Sequence, residues 1–182
     1  MAIKTFTTGE VLTAADTNTY LANSGLVYVT SATIGSGVSS VTVSNAFSAT
    51  YDNYRIIVNA GAGSAIASLR LTLGATATGY YYAGKARDYS GSDLNVQGSN
   101  VAFWYSAETE PNGMSGIIEL QNPQLAKRTL FNTTITAPRS AGYWLAVGGY
   151  LDNDTQYTAF TFTFSGGTQT GGNISVYGYR KA

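Results

Sequence analysis

The sequence predicts an all-β protein: one antiparallel β-sandwich of jelly-roll type, preceded by a short N-terminal helical anchor. Three observations carry this. Apolar and polar residues alternate with period 2 in run after run, the signature of half-buried strands. The runs are built from Thr, Val, Ile, Tyr and Phe, which pack well on a pleated surface. Clusters of Gly, Asn, Asp, Pro and Ser separate them at intervals of about 10–20 residues, as in sandwiches.

In chain order, residues 1–25 form an arm and residues 26–182 the sandwich. In Thr7-Thr8-Gly9-Glu10-Val11-Leu12-Thr13-Ala14-Ala15-Asp16, Thr13 is placed as an N-cap. Asp16, three residues on, can reach back to the free amides. The helix is expected over residues 14–22. That is shorter than the roughly 12–15 residues at which an isolated helix is even marginal in water, so it must dock on something. From Leu26 the chain reads as strands. Val41 and Val43 flank Thr42. Tyr54, Ile56 and Val58 share a face opposite Arg55, Ile57 and Asn59. Leu69, Leu71 and Leu73 alternate with Arg70 and Thr72. Val101, Phe103 and Tyr105 alternate with Ala102, Trp104 and Ser106. Residues 116–121 and 129–137 are two strands joined by a loop over 122–128. Phe160, Phe162 and Phe164 alternate with Thr161 and Thr163, and Ile174 and Val176 with Ser175 and Tyr177. Turn signals fall at 35–37, 61–64, 90–93, 111–113, 152–154 and 166–172. The count is about eight to ten strands.

Composition excludes several chemistries. The 182 residues contain neither His nor Cys. No disulfide framework, thiol nucleophile, zinc finger, imidazole base or haem histidine is available. Charged residues make up 11%, with net charge zero, against roughly 25% in an average domain. The 24 Thr, 17 Ser and 21 Gly take their place. The ten basic residues are scattered, adjacent only at Lys127-Arg128 and Arg180-Lys181, so nucleic acid is not an expected partner. No apolar run is long enough for membrane insertion, and residues 1–6 lack the apolar core of a signal peptide. No cofactor or metal is expected. The Asp152-Asn153-Asp154 stretch lacks EF-hand spacing and reads as a hairpin turn.

The segment from Phe6 to Leu21 resembles the opening of many tailed-bacteriophage virion proteins, with a pattern F-x-x-G-E-x-L-T-A-x-D-x-N-x-Y-L. The matching positions are Phe6, Gly9, Glu10, Leu12, Thr13, Ala14, Asp16, Asn18, Tyr20 and Leu21. Residues 49–58 and 171–179 are similar to stretches of phage β-sandwich modules. The resemblance implies a small structural protein of the virion, of tail, fibre or surface type. Its arm would bind other virion proteins, and Phe6, Glu10, Val11, Leu12, Asp16, Tyr20 and Leu21 are the expected anchoring residues. It also implies a homo-oligomer, with a trimer favoured.

Two further groups are weighed. Tyr81, Trp104, Tyr143 and Trp144, with Asp88 and Asp93, are candidates for a glycan site or a subunit interface. Aromatic faces stack on sugars, but aromatics mark protein interfaces equally. In a strand, Tyr81 points away from Tyr80 and Tyr82, and Phe103 away from Trp104, so one of each set is expected to face outward. Asp88 and Asp93, or Glu108 and Glu110, are the available carboxylates for a glycosidase pair, but no spacing indicates one. The expected function is therefore non-enzymatic: a host-facing tail-fibre or baseplate appendage of the virion binding surface glycans. A capsid decoration or cement protein without a ligand is the alternative, and a carboxylate-based depolymerase the remote one.

Overall fold

The computed structural model describes residues 5–17, 25–138 and 142–181. Those residues contain twelve strands rather than eight to ten: β1 (Leu26–Thr33), β2 (Ser40–Val43), β3 (Asn53–Gly63), β4 (Ala67–Leu73), β5 (Tyr80–Arg87), β6 (Asp93–Val101), β7 (Trp104–Thr109), β8 (Met114–Gln121), β9 (Thr129–Ala137), β10 (Tyr143–Leu151), β11 (Phe160–Ser165) and β12 (Gln169–Tyr179). They form two antiparallel sheets packed as a sandwich.

Eight strands make a jelly roll. They pair from the outside inward: β1 with β12, β2 with β11, β3 with β8 and β4 with β7. A chain so folded is one long ribbon. Rolling it sets β12 beside β3 and β11 beside β4, which closes two four-stranded sheets as two Greek keys. Two hairpins extend one of them. β5–β6 is inserted between β4 and β7, and β9–β10 between β8 and β11. Together they continue the larger sheet as β1-β12-β3-β8-β9-β10-β5-β6, while the smaller remains β2-β11-β4-β7. Of the inserted strands, β9 matches the strand expected over 129–137.

The alternating residues read from the sequence form the core. Tyr54, Ile56 and Val58, Leu69, Leu71 and Leu73, Phe160, Phe162 and Phe164, and Ile174 and Val176 are all buried. Phe131, Ile135, Leu145 and Val147 of the added hairpin join them. Tyrosine hydroxyls that enter the core are satisfied there. The Tyr80 hydroxyl accepts from the Leu73 amide at 2.8 Å and donates to the Thr76 carbonyl at 3.2 Å, as burial of a polar group requires. Desolvation pushes its pKa up.

Two expectations need correction. Residues 101–106 are not one strand. β6 ends at Val101 in the larger sheet and β7 starts at Trp104 in the smaller. The chain turns the corner just after Asn100, whose φ is 53°, a left-handed conformation that Asn tolerates. The 152–154 stretch is not a hairpin turn, because β10 and β11 belong to different sheets. It opens a crossover, with Thr155 N–H donating to Asn153 Oδ1 at 3.0 Å and Asn153 Nδ2 donating to the Tyr157 hydroxyl at 2.9 Å. The described part of the helix, α1 (Ala14–Asp16), is one short stretch; the expected continuation over 18–22 lies outside the described residues.

Candidate functional site

The arm is organised by its own polar residues. Thr7 to Glu10 form a turn closed by Glu10 N–H to the Thr7 carbonyl at 3.1 Å, with the Glu10 carboxylate accepting from the Thr7 amide at 3.1 Å. Gly9 sits there at φ 87°, which a side chain would resist. Three residues on, Thr13 caps α1 in a reciprocal box. Its Oγ1 accepts from the Asp16 amide at 3.1 Å, and the Asp16 carboxylate accepts from the Thr13 amide at 3.2 Å. Gly9, Glu10, Thr13 and Asp16 thus shape the backbone of the arm. The large apolar side chains of the described arm are exposed: Val11 is 78% and Leu12 50% exposed, and Phe6 is exposed too. No residue of α1 is buried. Tyr20 and Leu21, the remaining expected anchors, lie outside the described residues.

The six candidate glycan or interface residues do not form one site. Trp104 and Tyr143, expected on the surface, are buried in the core. Trp104 stacks on Phe131 at 4.9 Å, meets Tyr80 edge-on at 5.0 Å, and its Nε1–H lies 3.3 Å from both the Tyr81 and Tyr150 carbonyls. The Tyr143 hydroxyl is 3.2 Å from that of Tyr105, which donates to Glu108 at 2.8 Å; burial raises the Tyr105 pKa. Tyr81 does face outward, but stacks face to face on Tyr150 at 5.0 Å. It lies six residues along β5 from Arg87, about 20 Å away.

Trp144, Asp88 and Asp93 do converge. On the outer face of the larger sheet, Thr136, Trp144, Arg87 and Asp93 are neighbours in one row across β9, β10, β5 and β6. Arg87 Nε is 3.5 Å and Lys85 Nζ 3.8 Å from the Asp93 carboxylate. Asp88 closes the β5–β6 turn. Its Oδ1 accepts from the Ser90 hydroxyl at 2.6 Å and the Ser92 amide at 2.9 Å. The tip of that turn carries Tyr89, which is 74% exposed. Sequence periodicity could not single out Tyr89, because a turn residue has no strand phase. Its only local signal is an aromatic residue inside an Asp-x-Ser-Gly-Ser turn.

Of the carboxylates weighed for a glycosidase pair, Asp88 is held in its charged form. The Ser90 hydroxyl, and next the Ser92 amide, hold Asp88 below its ordinary value. A depressed folded-state pKa means these bonds favour the turn above the ordinary Asp range and are lost as pH falls through the lower folded value. The Asp88 carboxyl carbon, followed by NMR, should therefore titrate below the usual Asp range. Ser90→Ala should move its midpoint up toward that range; an unmoved midpoint would show that the hydroxyl is not the cause.

Among the described residues, no group of three or more acidic side chains could hold a metal ion, and no helix is long and apolar enough to cross a membrane. Neither a family model nor a curated protein matches the chain.

Proposed function

We propose that the protein is a non-enzymatic structural component of a tailed-phage particle, held by its arm and projecting its sandwich outward as a tail-fibre or baseplate type appendage that meets host glycans. The observation that carries this reading is the arm itself. Its polar motif residues are used up in folding it, while Val11 and Leu12 are left to solvent. Exposed apolar side chains on a locally ordered segment suit a binding partner. A symmetric oligomer, a trimer by preference, would present several arms at once and multiply a weak contact through effective concentration.

The host-facing form draws support from sheet geometry. The chain enters the sandwich at Leu26, at one end of edge strand β1. The row containing Trp144 runs through Thr136, Ser115, Asn59 and Asn173 to Thr33, at the other end of β1. Trp144 is also five strands away, so Leu26 and Trp144 lie diagonally across the sheet from each other, about 30 Å apart. A head-surface cement protein is the second reading. It is favoured by Ile57 and Ile117, paired neighbours exposed on the same face, which neighbouring copies in a shell would cover.

Imaging of the particle tests both. The appendage reading expects the sandwich on the tail, with Leu26 toward the particle and Trp144 away from it. Density on the head lattice with Ile57 and Ile117 covered selects the cement reading. A particle without the chain overturns both.

A further inference from the structure

The end of the larger sheet diagonally across from Leu26 carries two exposed aromatic residues, Tyr89 and Trp144. Tyr89 is mostly exposed, yet its ring lies directly on Gly142, where a Cβ would overlap the ring carbons. Gly142 has φ 62°, a second reason for glycine there. The turn that presents Tyr89 is closed by the Asp88 carboxylate and by Gly91 N–H to the Asp88 carbonyl at 3.2 Å. Trp144, two residues past Gly142, is 42% exposed on the same face as Arg87. Arg87, Asp88, Tyr89, Gly91 and Trp144 line a cleft of about 390 Å³, within the usual range for small-molecule sites.

We infer that this cleft binds a neutral pyranose unit of a glycan. The C–H face of a pyranose packs on aromatic rings, and two exposed ones line this cleft, that of Tyr89 resting on Gly142. The Arg87 guanidinium offers donors. The Asp88 carboxylate, kept ionised by Ser90, offers an acceptor for a neighbouring hydroxyl. Arg87 is already paired with Asp93, and Asp88 lies beside it, so the cleft has no net positive charge to favour an acidic sugar. The inference rests on the host-facing reading only for the source of the sugar, a cell-surface glycan.

The two tryptophans make the test direct, since Trp104 is buried and Trp144 is exposed. The full chain is titrated with methyl α-D-glucopyranoside, methyl β-D-galactopyranoside, N-acetylglucosamine and N-acetylneuraminic acid while tryptophan emission is followed. At least one neutral sugar should change the emission saturably below about 50 mM. Tyr89→Ala should weaken that sugar about tenfold with unchanged thermal unfolding, and Tyr89→Phe should retain it, because the ring and not the hydroxyl makes the contact. No saturable sugar, a preference for N-acetylneuraminic acid, or undiminished binding by Tyr89→Ala would each overturn the inference. Incorporation of Tyr89→Ala into particles separates the two proposals. If it joins normally but no sugar binds, the cleft fails and the particle reading stands. If sugar binds and even the unmodified chain is absent from particles, the reverse holds.

Discussion

Trp104→Ala should cost about 3–5 kcal/mol, the range for removing a fully buried large aromatic. Against a total of about 5–15 kcal/mol for a typical domain, that is a large share. The site explains the size. Trp104 starts β7 at the corner where the chain passes from one sheet to the other, and its ring touches residues of both inserted hairpins: Tyr80 on β5 and Phe131 on β9. Its Nε1–H lies between the Tyr81 and Tyr150 carbonyls. Alanine would leave a void at the joint between the jelly roll and its extension, with little chance of collapse among four strands. Trp104→Phe keeps a ring against Phe131 and loses the indole donor, so it should cost less, about 1–3 kcal/mol. Urea unfolding followed by circular dichroism measures both. A Trp104→Ala loss below about 1 kcal/mol would mean that this ring does not fasten the extension.

The same residue shows where sequence reading stops. Alternation in 101–106 reveals a period but not the point at which its phase resets. The reset depends on the corner after Asn100 and on a bulge at Ser106, opposite Leu69 and Arg70 of the partner strand. The bulge lets Ser106 and Ala107 both turn inward, which strict period 2 forbids. The core faces of β3, β4, β11 and β12 were legible because the runs 54–60, 69–73, 160–164 and 174–178 within them each keep one phase. The jelly-roll pairing was legible only as a class. Partners such as Leu26 and Tyr179 stand at opposite ends of the sandwich sequence, and nothing local in either names the other. The capping box of the arm was fully legible, since Thr13 and Asp16 are three residues apart and their bonds are local. Tyr89 was not. Its position depends on Gly142, brought beneath it from the far end of the β9–β10 hairpin.

Deleting residues 1–23 should leave a folded sandwich that no longer joins the particle. The deletion spares Gly25, whose carbonyl accepts from the Arg180 amide at 3.1 Å, and all of β1. The described arm residues 5–17 bury no side chain, so the unfolding free energy should change by no more than about 0.5 kcal/mol, as for surface changes elsewhere. Incorporation should behave oppositely. Burying one Val or Leu side chain is worth about 1.5–3 kcal/mol, while association itself costs about 4–15 kcal/mol. One arm with two or three such side chains would therefore be marginal, and on the proposed reading attachment would depend on several arms acting together, where linkage can add about 10²–10⁴ in avidity. Removing every arm removes that gain entirely, so occupancy in purified particles should fall to background. The double substitution Val11→Asp, Leu12→Asp should do the same with the arm's fold retained. Thr13→Ala should lower occupancy only partly, because losing a cap costs about 0.5–2 kcal/mol. This order, with deletion equal to the double aspartate and both worse than Thr13→Ala, distinguishes docking by the apolar face from a merely local role of the helix. Normal occupancy of the truncated chain would rule out the arm as the anchor.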